Sequence, residues 1–499
     1  MVKAHYWLFQ EIARLANEWQ VHTLSVYQLE KTLSSEQHVR SFVVSIVQMC
    51  QSIASGKCCK EDRFSRLLVG RANNDDMAKH SLLMVVFSLS MAFFNWVYQI
   101  VMGHWLSPEE FGAMVTLLSI LVIFTLLTRT FQISASKFTS KFRVQGGTEN
   151  ICHLWRFLLG RTVILGVVLF MIGAVLAPPV SSFLKLADYW PWLAFSVSFI
   201  LVAAVPVNRG VLQGTQRFLA LGLTMVAESA SKLVFGFLLV YVLGYGVCGA
   251  VFPLALSLVI VFALSLFLLR DIICCKANDH ETLGLISYTT AAFLAILPLG
   301  ILTNADMLLA RHYLDETTSG DYAALVVLGK VAFFAPFGVV LAMFPKTSEA
   351  AEVGRSPGGV LSKAILYTFA LGGGVVLMYF LFSGPIVELL YQGKYVSMTP
   401  LLARYALAMF LLALSFLLVN YALSLGRTMV VLPLIMAAVL QVCLISLFHS
   451  SMAQITDIMI VCGLVTVVLV IPFCLASIAK GTPDSNGDVD ATAHNLHAM

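Results

Sequence analysis

Between residues 81 and 479 the chain is a succession of apolar runs, each closed by a short polar corner. The runs are about 20 residues long, the length of helix that crosses roughly 30 Å of hydrocarbon. A backbone inside lipid has no water to bond, so such runs must satisfy their own amides as helices. Composition agrees: 59% of the 499 residues are hydrophobic and 12% are charged, against about 25% charged in soluble domains. Twelve spans are predicted, at roughly 81–103, 110–135, 156–177, 190–212, 218–243, 246–269, 286–311, 321–345, 362–383, 400–424, 428–449 and 455–479. The expected fold is an all-α polytopic membrane protein.

The net charge of +4 reads as topology and not as a nucleic-acid footprint. With residues 1–80 placed in the cytosol, thirteen Lys or Arg of the loops and tail fall on the cytosolic side, from Lys137 and Lys141 through Arg209 and Arg270 to Lys480. Four fall outside: Lys185, Arg311, Lys394 and Arg404. That asymmetry follows the positive-inside rule and puts both termini in the cytoplasm.

Residues 1–80 are a different material, with apolar residues at helical spacing among charges, as in 8-LFQEIARLANEW-19. They read as short amphipathic cytosolic helices. Met77 would be a natural start for a twelve-span transporter, so a misassigned start is one reading of this extension. The tail, 481–499, reads as disordered. No Cys/His spacing suggests a metal, no phosphate-binding loop or nucleophile elbow is present, and no cofactor is expected.

The corners repeat. Residues 104-HWLSPEEFG-112 and 312-HYLDETTSG-320 share His, Leu and Gly at a 208-residue offset, and 207-VNRGVLQG-214 matches 419-VNYALSLG-426 at 212. Each pair lies on one side of the membrane. The chain is therefore two parallel six-span halves, 81–270 and 271–480, related by an axis along the membrane normal.

The segments 94-FNWVYQIVMGHWLSPEEFGAM-114, 209-RGVLQGTQRF-218, 304-NADMLLARHYLDETTSGDYAAL-325, 344-FPKTSE-349 and 391-YQGKYVSMTPLL-402 resemble the bacterial polysaccharide flippase family. That family belongs to the multidrug/oligosaccharidyl-lipid/polysaccharide exporter superfamily. The resemblance runs from about residue 81 to 480. It implies a V-shaped twelve-helix fold, a place in the bacterial inner membrane, and flipping or export of a lipid-linked glycan by alternating access. The partners it implies are the lipid-linked glycan, membrane lipid, a proton or sodium as coupling ion, and glycan-assembly proteins.

Such a cargo carries a charged linkage, and charged residues inside spans default to functional hypotheses. They are Arg129, Arg161, Glu228, Lys232, Asp306 and Lys330. Lys330 lies nine residues into its span, about 13 Å deep at 1.5 Å per residue, and Lys232 is similarly deep. These two lysines are expected to meet the anionic head group, with Arg129 and Arg161 beside them. For the two arginines, snorkelling to lipid head groups is the competing reading. Glu228 stands four residues before Lys232, the spacing of a helix-surface ion pair; it reads either as a neutralised packing pair or as a proton site. Asp306, with Asn304 as polar neighbour, reads either as a structural acid bonded to a neighbouring helix or as a coupling and gating site.

Two other classes stay open. A multidrug cation antiporter of the same fold favours acidic, aromatic cavities, whereas these span charges are four basic and two acidic. An integral-membrane glycan polymerase or ligase needs a catalytic constellation, commonly on a long outer loop, and the outer loops here are short. The topology has a direct test. A cysteine replacing Thr317 should react with an impermeant thiol reagent added outside cells, and one replacing Gln145 should not; the opposite pattern would refute the orientation.

Overall fold

The computed structural model describes residues 77–145, 148–273, 285–352, 358–425 and 428–480. The amphipathic helices expected before residue 77 and the tail after 480 lie outside the described residues. Residues 77–80, assigned above to the extension, instead form the first turn of the first helix.

Among the described residues twelve apolar segments follow one another. In the first half they are α1 (Met77–Trp105), α2 (Pro108–Val144), α3 (Thr148–Val175), α4 (Trp190–Gly214), α5 (Phe218–Val242) and α6 (Gly246–Leu268). In the second they are α7 (Leu285–Tyr313), α8 (Glu316–Phe344), α9 (Gly358–Tyr391), α10 (Val396–Ser424), α11 (Val431–Leu447) and α12 (Met452–Lys480). Ten are long and apolar enough to cross a membrane by that measure alone; α7 and the 17-residue α11 complete the set. This is the all-α exporter architecture of two parallel six-helix halves.

Several helices outrun the apolar stretches that announce them. The apolar run of α2 stops near 135, yet the helix continues to Val144, so Lys137, Lys141 and Arg143 sit on a helix and not in a loop. Hydropathy marks where lipid ends, while the backbone ladder continues into water with no comparable penalty. Interruptions fall where proline or glycine weakens the ladder. Pro298 lies inside α7. The segment of α8 from Val331 to Phe334 is separated from the one beginning at Phe337 by Ala335 and Pro336. In α9 a π-helical turn spans Phe369–Gly373, where Gly372 and Gly373 lie, and Phe382 leaves helical geometry altogether.

The repeated corners are helix starts. Ser107 caps α2 with a full capping box, its hydroxyl accepting from the Glu110 amide while the Glu110 carboxylate accepts from the Ser107 amide. Asp315 caps α8 by accepting from the Thr318 amide at 2.9 Å, and this bond holds its carboxyl below the usual carboxylate range. The two corners pack directly on each other. A Cβ on Gly320 would stand 2.1 Å from the Pro108 carbonyl oxygen, and one on Gly112 would stand 3.1 Å from the Gly320 amide. The aligned glycines thus mark the crossing of α2 and α8, where one half of the molecule touches the other.

The second repeated motif packs one half internally. Asn208 is fully buried; it accepts from the Trp155 indole at 2.8 Å and donates to Ser265 at 2.7 Å, tying α4 to α3 and α6. Gly210 and Gly214 lie against α2, where a Cβ would come within 2.5 Å of the Gln132 carbonyl and 2.6 Å of Thr139 Cβ. Small residues at such crossings let helices approach where lipid gives no hydrophobic drive. Gly210→Val should cost about 1–3 kcal/mol by overpacking. The check is the thermal midpoint of purified protein in detergent, which should fall clearly below wild type.

Candidate functional site

The intramembrane charges gather into two clusters, one in each half. In the second half, Asp306 on α7 is fully buried. Its Oδ2 accepts from the Tyr322 hydroxyl of α8 at 3.0 Å and from the Tyr405 hydroxyl of α10 at 2.7 Å. Its other oxygen, Oδ1, has no hydrogen-bond partner among the described residues. Lys330 sits at the break within α8 and donates from Nζ to Asn304 Oδ1 at 2.8 Å, one turn of α7 or less from Asp306. The Asn304 amide donates back to Gly300 O at 3.1 Å and to Thr303 at 2.9 Å, which fixes its oxygen toward the lysine. Asn304 and Asp306 are thus neighbours on α7, and Lys330, which the sequence had grouped with Lys232, joins them instead.

In the first half, Lys232 on α5 donates to Asn95 Oδ1 on α1, and its Nζ lies 5.3 Å from the centre of the Tyr98 ring. Tyr98 is fully buried and donates to the Ala250 carbonyl. Here one expectation needs correction. Glu228 does not pair with Lys232, although the spacing allows it. Its carboxylate meets Arg209 of α4 at 2.7 Å, and Arg209 also donates to the Thr224 carbonyl at 2.9 Å. A guanidinium already held at Thr224 offers Glu228 a pre-set fork, whereas the Lys232 ammonium is taken by Asn95. Arg209, counted above among cytosolic loop residues, lies in a helix with its side chain only 14% exposed.

The two remaining candidates behave differently. Arg129 is exposed on α2 with Arg209 as a like-charged neighbour, so it extends the basic surface of the first cluster. Arg161 stacks on the Phe157 ring one turn away on its own helix, 4.0 Å from the centroid, and among the described residues it joins neither cluster. That geometry suits a side chain lying along an apolar helix surface.

Sequence reasoning did not name Asn95, Tyr98, Tyr322 or Tyr405, and it read Arg209 only as a topology charge. Tyrosines in apolar spans give no distinguishing signal, because their rings are ordinary core material. Asn95 had one available clue: it stands 209 residues before Asn304, nearly the corner offset. Each half thus presents one asparagine whose amide oxygen accepts from a lysine. The lysines come from different helices, α5 and α8. At the same 209-residue offset the position matching Asp306 is Val97. The backbone repeats while the chemistry diverges.

Twelve apolar helices in two halves, with cations and carboxylates held among the spans, define a membrane transporter of the exporter superfamily. The chain belongs to the polysaccharide biosynthesis protein family, whose model matches residues 77–351. Among solved structures it is similar to an inward-facing multidrug resistance MATE family transporter of the MOP superfamily, with a TM-score of 0.67 and 16% identity over 81% of this chain and 99% of that one. An outward-facing structure of such a transporter gives 0.58 and 17% identity, over 85% of this chain and 100% of that one. A MOP superfamily transporter from Pyrococcus furiosus, whose binding pocket is described as having reverse polarity, gives 0.58 and 17% over 85% and 99%. A search of the curated proteins gives no match.

Tyr322 and Tyr405 are the two hydroxyls that Asp306 receives. Tyr405→Phe should destabilise the protein by about 1–3 kcal/mol, the cost of stripping a donor from a buried acceptor. Tyr322→Phe should act in the same direction, and the pair should be non-additive because both donate to one oxygen. Thermal melting of the two single variants and the double variant reads this; additive losses would show that the hydroxyls do not act through Asp306.

Proposed function

We propose that this protein flips or exports a lipid-linked oligosaccharide or polysaccharide precursor across the bacterial inner membrane by alternating access. The observation that carries the reading is the way the two deep lysines are held. Lys232 and Lys330 each donate to a neutral asparagine oxygen. An ammonium bonded to an amide keeps its full charge for an anion, whereas one bonded to a carboxylate is spent. The greasy tail of such a cargo can stay in lipid, and only the charged linkage and glycan need shelter. Lys232, Lys330 and Arg129 supply cations for the linkage, with Arg161 at a lipid-facing distance from them. Arg209 adds a fifth base to the span charges, against two carboxylates. This balance favours an anionic cargo over the cationic drugs of a multidrug antiporter, and the protein acts as a transporter and not as an enzyme.

Asp306 is the coupling site in this reading. It is a buried carboxylate with one oxygen bonded and the other without a hydrogen-bond partner among the described residues, which a proton or sodium ion would supply. Asn304 links it to Lys330, and Glu228 sets the position of Arg209. The positive-inside rule supports an orientation with the 104–112 and 312–320 corners outside and both termini cytoplasmic.

The test separates cargo binding from turnover. Lys330→Ala should abolish glycan export at near-normal membrane abundance, and Lys330→Arg should retain part of it. Asp306→Asn should retain binding of a lipid-linked precursor to purified protein yet lose export. Full export by the alanine variant would remove Lys330 from the path. Near-normal export by the asparagine variant, across several external pH and sodium values, would leave Asp306 as a packing residue.

A further inference from the structure

The side of the bundle that carries the two corners is fastened by cations reaching across from one half to the other. Lys185 follows the short helix Ala177–Phe183 in the first half, and its Nζ donates to the Leu314 carbonyl of the second half at 2.7 Å. Lys394 lies between α9 and α10 in the second half. Its Nζ donates to the Leu106 carbonyl of the first half, and also reaches Gly103 O at 3.3 Å and His104 O at 3.2 Å. Leu106 and Leu314 are the aligned leucines of the repeated corners, 208 residues apart, and Lys185 and Lys394 are 209 apart. The two contacts are therefore the same contact made twice. Each half sends one ammonium to the corner carbonyl of the other.

The surroundings share this symmetry. Pro191 and Pro400, again 209 apart, each open the helix that follows the lysine. Both loops turn through left-handed backbone, at Lys185 with φ 48° in one and at Gln392 with φ 52° in the other. The second half adds Arg311, which is 2% exposed and donates to Leu184 O at 2.9 Å, Lys185 O at 2.7 Å, Ser319 Oγ at 2.8 Å and Glu109 O at 3.2 Å. At the matching place in the first half stands Gly103, whose missing side chain makes room for the Tyr391 ring.

We infer that Lys185 and Lys394 form a crossed pair of latches that holds the outer gate closed, and that both must release before the transporter opens outward. This rests on the alternating-access reading above. Carbonyls at helix ends are the natural acceptors for such a latch, because the last turn leaves them without partners and the helix dipole favours a cation there. The bonds are charge-assisted yet lie at the rim, where water can take over both partners once the halves part. They are strong enough to bias the closed state without locking it. Because the latches are equivalent, losing one should loosen the gate and losing both should open it.

The experiment is a distance measurement on the full chain in lipid nanodiscs. Spin labels on Ala187→Cys and Val396→Cys, both exposed beside the latches, report the separation of the halves in a background with native cysteines replaced. Lys185→Met and Lys394→Met keep the length of the side chain and remove the ammonium. Each single variant should raise the ratio of long to short distances, and the double variant should raise it by about tenfold or more. Lys185→Arg with Lys394→Arg should stay near wild type. Arg404→Met, which breaks only an exposed pair with Asp457, should change nothing. Gly320→Ala serves as the reference for opening, since its Cβ cannot fit beside Pro108 in the closed gate. If Gly320→Ala lengthens the distance and the double lysine variant does not, the latch is overturned while alternating access stands. If neither lengthens it, both are overturned.

Discussion

The crossing of α2 and α8 sets the terms for the rest of the molecule. Two halves of a membrane bundle gain nothing by hiding apolar surface from lipid, so their contact depends on close backbone approach and on buried hydrogen bonds. Gly112 and Gly320 provide the approach, with the Pro108 carbonyl so near Gly320 that no side chain fits between them. Arg311 then sits in the seam of the two corners, where backbone carbonyls and the Ser319 hydroxyl bond its guanidinium and the Glu316 carboxylate lies at 4.0 Å. An unbonded cation there would be costly. The closed corner is thus the arrangement that satisfies Arg311.

Deeper in the bundle the same requirement is met with side chains. Every buried charge of the two clusters has a named partner, and the partners decide what it can do. Glu228 is spent on Arg209. Asp306 is steadied by two tyrosines on one oxygen only, and its other oxygen is buried without a hydrogen-bond partner among the described residues. The lysines donate to amide oxygens, Lys232 to Asn95 and Lys330 to Asn304. Asn95 and Asn304 match between the halves at a 209-residue offset, and at that offset Val97 in one stands at the place of Asp306 in the other.

Closing on one side and opening on the other requires helices that bend. The second half has the proline inside α7, the break after Phe334 in α8 and the π-helical turn of α9, and the first half has a π-helical turn at Phe237–Val242 in α5 and Pro253 inside α6. A local change of charge at Asp306 or Lys330 therefore acts on helices that already have weak points in their hydrogen-bond ladders.

Much of this was legible in the chain. Apolar run length dictates spanning helices, since lipid permits little else. The repeated corners announce two parallel halves, and the scarcity of charge inside spans picks out Lys232, Lys330 and Asp306 as costly enough to need a reason. Partners were not legible, because a helix surface offers several neighbours and only packing chooses among them. The spacing of Glu228 and Lys232 promised a pair; the fold gave Glu228 to Arg209, from a helix the sequence had placed near the cytosol. Tyr322 and Tyr405 read as core until Asp306 is seen between them. Lys185, Arg311 and Lys394 read as rim charges facing water, yet they reach carbonyls of the opposite half. Sequence fixes which groups cannot remain unpaired in lipid, and tertiary structure decides which group answers each one, because that choice depends on distances between helices that no single helix contains.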